Sequence, residues 1–234
     1  MTSEWIRSET VRFALIGTIL AITLPAIASD ANRLRVVQVV TGRGSPARPN
    51  AALVLAQETR FRTAADVKLD RVVVTLDSPA IFEHPFLLWV GQGAFFLTER
   101  ELTHLRKFLE LGGTLLVDNA GEAGAMAAFD RSLRTQIGRA FPGRTLTVVP
   151  SQHVLFRAFY KIESVWGSRA VRPYLEALFI DGRLALLYSQ NDLSGAWSRD
   201  GFGNWEYEAV PGGPAQREGA IRLGINVLLY ALLQ

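Results

Sequence analysis

The stretch Phe108–Glu122, FLELGGTLLVDNAGE, decides the fold. A helix closes on Gly112-Gly113, where Gly112 supplies the left-handed stop that ends helices. The apolar run Thr114–Val117 then predicts a strand. The chain delivers Asp118 and Asn119 and turns through Gly121 toward a second helix. In open α/β sheets, ligands gather beyond the carboxyl ends of strands, so this stretch predicts both the architecture and a place for a site.

Upstream, Thr98 and Glu101 have capping-box spacing, and Leu102, Leu105, Phe108 and Leu109 share one helical face. Phe86–Val90 is apolar on both alternating faces, as in a strand covered on both sides. Strands are also predicted at Arg33–Thr41 and Arg71–Leu76, with a helix over Ala51–Thr59 between them. Downstream come an amphipathic helix over Ala125–Phe141, a short strand at Thr145–Val149 and a helical turn within Gln152–Tyr160. Leu175–Ile180 and Arg183–Ser189 flank Asp181-Gly182, a strong hairpin signal. Asn191–Gln216 reads as a long loop. Gly219–Leu233 is apolar almost all round, as a buried core helix is. Alternating strands and helices argue for a mostly parallel sheet with helices on both faces and an antiparallel hairpin at one edge.

The chain of 234 residues has 49% hydrophobic residues, enough for a substantial core. Its 25 basic and 22 acidic residues are too evenly balanced to predict a nucleic-acid partner. With no cysteine, disulfides, zinc-thiolate sites and a cysteine nucleophile are excluded. At the N-terminus, Arg7 and Arg12 precede the uncharged Phe13–Leu24, and Pro25 is followed by Ala26 and Ala28. This is the layout of a secretory signal peptide over residues 1–28, or else of an uncleaved anchor. A single α/β domain over residues 29–234 is then expected in the periplasm or outside the cell, or tethered to the inner membrane by that uncleaved segment.

The order of several motifs resembles a bacterial family, domain of unknown function 4159. The segments are PFLLWVGQGAFFLTERELTHLRKFLELGGTLLVDNAG, AFDRSLRTQIGRAFPGRTLTVVPSQHVLFRAFY, LEALFIDGRLALLYSQNDLSGAW and REGAIRLGINVLLYAL. The resemblance covers about Arg33 to Leu232. It implies a fold similar to class I glutamine amidotransferases, a flavodoxin-like three-layer sandwich. It also implies export or a membrane anchor, and company with von Willebrand-type domain proteins and MoxR-type ATPases. Where the family usually has Gly-His-Gly, this chain has Gly91-Gln92-Gly93. Where the family has an ending like Asp-Asp-Cys, this chain has Asp118-Asn119-Ala120.

The candidate ligand-binding residues follow from strand ends and loops: Gln92, Asp118, Asn119, Asn191, Asp192 and Trp197. A carboxylate after the hairpin can meet Asp118 across the sheet, and Arg222 is a candidate to hold Asp118 or Asp192. Structural readings stand beside these: Asx turns, helix caps and aromatic anchors for the long loop. His84, His104 and His153 form no zinc pattern, and no serine sits in a nucleophile elbow. The leading expectation is a non-enzymatic module of an envelope complex, without cofactor or metal. The alternative is a metal-assisted hydrolase acting through Asp118, Glu122 and Asp192. A third reading, a purely structural piece, requires the crevice to be filled by loop Asn191–Gln216.

Overall fold

The computed structural model describes residues 34–233 except residue 43. The signal-peptide or anchor expectation lies outside the described residues.

A seven-stranded sheet forms the middle layer. Its strands are β1 (Val37–Val40), β2 (Val72–Thr75), β3 (Phe86–Gly91), β4 (Thr114–Asn119), β5 (Thr147–Val148), β6 (Glu176–Ile180) and β7 (Arg183–Ser189). They lie in the order β2-β1-β3-β4-β7-β6-β5. Pairings from β2 through β7 are parallel, whereas β6 runs against both β7 and β5. The parallel part therefore has the 2-1-3-4-5 order of flavodoxin-like sheets, with its switch point between β1 and β3. The antiparallel edge is the expected hairpin. Asp181 and Gly182 both take positive φ, 51° and 79°, as a two-residue turn between twisted strands requires.

Alternation sorts side chains to the two faces of the sheet. Phe86, Leu88 and Val90 of β3 and Leu116 of β4 enter one core, with α1 (Ala51–Arg62), α4 (Leu193–Trp197) and α5 (Gly213–Leu232). Leu87, Trp89, Leu115 and Val117 enter the other, beneath α2 (Glu99–Glu110) and α3 (Ala123–Ala140). The capping box at Thr98 and Glu101 is present, and the four residues of the predicted α2 face are all buried. Helix α5 is buried along most of its length and begins six residues before the expected start. Among the described residues no helix is long and apolar enough to cross a membrane. The predicted first and fifth strands are trimmed at both ends, and the helical turn after the latter is a 3-10 turn, Val154–Arg157.

Candidate functional site

Asp118 and Asn119 follow one another at the end of β4, so their side chains leave on opposite faces of the sheet. Asp118 enters the α1–α4–α5 side. One carboxylate oxygen accepts from the Leu193 amide at 2.9 Å. The other accepts from the Ser194 amide at 2.7 Å and the Ser194 hydroxyl at 2.5 Å. Asn119 enters the α3 side. Its amide nitrogen donates to the Met126 carbonyl and the Tyr188 hydroxyl, and its oxygen accepts from the Gly121 amide. Both residues are wholly buried.

Asp192 approaches Asp118 from the end of β7. It caps α4 in a left-handed conformation, φ 50°, and accepts from the Gly195 amide. Arg48 grips it with two bonds, Nε to Oδ1 at 3.1 Å and Nη2 to Oδ2 at 2.7 Å. Ser168 adds a hydroxyl bond at 2.6 Å. Burial first, then the Asp192 charge, raise the Asp118 carboxyl to about 6, although its three donors pull the other way. Desolvation opposes the Arg48 charge, but Asp192 outweighs it and leaves the guanidinium more strongly protonated than usual.

Asn191 is equally enclosed. Its oxygen accepts from the Val171 and Arg172 amides, while its nitrogen donates to the Val165 and Arg172 carbonyls. Every polar position of that side chain is therefore used on its own loops. Trp197 is wholly buried, and Gly224 of α5 admits its ring: an added Cβ there would lie 2.8 Å from the indole. Among the described residues the indole nitrogen has no hydrogen-bond partner, so Trp197 acts as an apolar wedge.

Of the six candidates, Gln92 alone is exposed. The other five are buried in contacts with their own chain. Two of them, Asp118 and Asp192, meet as expected through the backbone and cap of α4. Glu122 does not join them: its side chain is 86% exposed and lies 4.0 Å from Arg169. Among the described residues, no three His, Asp or Glu side chains converge as metal ligands do. Arg222 does not hold either carboxylate. It sits on the outer side of α5, bonded to Glu218 at 2.7 Å. His153 caps the 3-10 turn by accepting from the Leu155 amide, and burial lowers its pKa.

Gln92 stands at the mouth of a cleft of about 460 Å3 at the switch point, beyond the carboxyl ends of β1 and β3. Thr41 and Ser45 form one rim; Trp89, Phe95 and Phe129 form the floor. The described lining carries no charged side chain. Gly91 is required because a Cβ would lie 2.2 Å from the Phe129 ring. Its carbonyl accepts from the Ala120 amide, so Gly91-Gln92-Gly93 and Asp118-Asn119-Ala120 stand side by side.

The fold and this cleft define an open, doubly wound α/β protein with its crevice at the switch point. A family model, Domain of unknown function (DUF4159), matches residues 35–232, and the chain belongs to that family. A search of curated proteins returns no match.

Proposed function

We propose that the protein is a non-enzymatic accessory or binding module of a cell-envelope complex, built on a glutamine amidotransferase-like scaffold. The cleft beside Gln92 receives an uncharged segment of a protein partner. One observation carries this reading: the switch-point crevice is open, while both oxygens of Asp118 and of Asp192 at the neighbouring strand ends are already bonded within the chain. A hydrolytic mechanism needs a group free to take up a proton or polarise water. Asp118 and Asp192 instead anchor α4. The alanine at position 120, buried where the resembling family carries a cysteine-like ending, supplies no nucleophile.

The floor of the cleft suits an apolar side chain, and Thr41, Ser45 and Gln92 suit backbone amides at its rim. Membership of a system with von Willebrand-type domain proteins and a MoxR-type ATPase follows from the resemblance of the motifs. The test is retention of such a von Willebrand-type domain protein on the immobilised chain. Gln92→Arg should abolish retention while leaving the unfolding midpoint unchanged. Equal retention by both forms would reject the cleft as the docking place. Turnover of an amide or ester substrate that disappears in Asp118→Asn would reject the non-enzymatic reading.

A further inference from the structure

The end of the sheet opposite the cleft exposes several large apolar side chains. Phe82, in the 3-10 turn Pro79–Glu83 before β3, is 40% exposed. Leu111, the C-cap of α2 before β4, is 78% exposed. Leu232 and Leu233, where α5 stops, are 41% and 79% exposed. Three of these four line one groove of about 570 Å3, together with Glu83, His84, Pro85 and Gly112. Large apolar side chains clustered in this way on a folded chain mark a surface that something else covers.

From these positions we infer that this end of the domain lies against the surface of a lipid bilayer. Parallel strands bring every amino end to one side. The described chain also enters there, where Leu34 bridges Val67 ahead of β1 and β2. A short way upstream in sequence lies the uncharged stretch Phe13–Leu24. The patch is not electrostatic. Arg35 is paired with Asp70 at 3.0 Å and Arg183 donates to the Gly113 and Leu109 carbonyls, while Glu83 and His84 stand in the groove and give it no basic character. Leucine and phenylalanine side chains at such a face enter the boundary between headgroups and acyl chains. Contact of this sort is insensitive to salt, unlike the screened attraction of a basic patch. It also leaves the Gln92 cleft, at the far ends of the strands, facing water and a partner.

The chain has no cysteine, so one label can be placed at will. Leu111→Cys, Leu233→Cys and Phe202→Cys in the full chain would each carry an environment-sensitive fluorophore. Phe202 is 94% exposed on the loop after α4 and serves as the control. Neutral phosphatidylcholine vesicles should blue-shift the labels at 111 and 233, leave 202 unchanged, and give the same result in high salt. Quenchers on the lipid headgroups should act several-fold more strongly at 111 and 233 than at 202. Vesicles that shift none of the labels, or all three alike, would overturn the inference. So would a shift at 111 and 233 before vesicles are added, accompanied by a doubled molar mass, since a second copy would then cover the patch. Circular dichroism of each labelled chain confirms that it is folded.

Discussion

Arg48 and Asp192 form a two-bond ion pair across 144 positions of sequence, with both side chains at least nine-tenths buried. It ties the loop after β1 to the cap of α4, and the Arg48 guanidinium also lies 3.7 Å over the Tyr207 ring. Removing one partner of a buried pair leaves the other charge unsatisfied. Arg48→Met should therefore cost about 3–5 kcal/mol of unfolding free energy. Asp192→Asn added to Arg48→Met should recover a large part of that loss, because the stranded charge is gone. Urea unfolding of the two single variants and the double variant measures the coupling. Additive losses would mean that the two side chains act separately.

The Asp118 carboxyl makes stability depend on pH in a definite direction. In the folded protein it is raised to about 6, whereas the unfolded chain releases the proton near the ordinary value of about 4. Between those values the folded state holds a proton that the unfolded state has lost. The contribution is therefore fully present at low pH and fades as pH rises through about 6. Asp118→Asn cannot titrate and should be less stable throughout, since its amide group would face the Leu193 and Ser194 donors. The gap between wild type and variant should narrow from pH 5 to pH 7, read as urea midpoints. A constant gap would show that Asp118 does not carry the dependence.

Gly224 lies between Trp197 and Leu55, whose side chains would stand 2.8 and 2.9 Å from an added methyl. Alanine is the better helix former by about 1 kcal/mol. Overpacking of a filled core costs about 1–3 kcal/mol. The second effect should prevail, so Gly224→Ala should lower stability and change the near-ultraviolet circular dichroism of Trp197. A stabilised variant would mean that α5 can shift outward freely.

Gln92 should separate binding from folding. It is exposed, and its substitution by alanine should change stability by less than about 0.5 kcal/mol. Asn191→Ala, by contrast, strands the Val171 and Arg172 amides and the Val165 and Arg172 carbonyls. Each buried group left unbonded costs about 1–3 kcal/mol, so this variant should be far less stable. Thermal melts of the two, run beside partner retention, check both halves of the prediction.

The elements most legible in the sequence are those whose signals are local. The capping box at Thr98, the stop at Gly112, the apolar β4 and the Asp181-Gly182 turn all rest on neighbours within a few residues. Strand order is a tertiary property, and no local pattern says that β7 inserts beside β4 with β6 outside it. The site divides in the same way. Strand ends located Gln92, Asp118 and Asn119, but adjacent residues of a strand face opposite ways, so the last two never share a crevice. The loop Asn191–Gln216 reads as polar and rich in turn residues, yet its start folds inward as α4, because Asp118 and Arg48 satisfy its polar groups. Arg48 itself was illegible: it is one of 22 arginines, set among prolines and glycines, and only its distant partner gives it a role.

The parallel ladder between β4 and β7 has a consequence for the order of assembly. It joins Leu115 to Leu186, and α5, which covers one face of that ladder, is made later still. Contacts so distant along the chain must wait for long segments to be threaded and closed. A nascent chain that has produced α2 and β4 has β3 on one side of β4 but still lacks β7 on the other and the helix α5 that roofs it. Its sheet therefore stays incomplete until its last quarter is released.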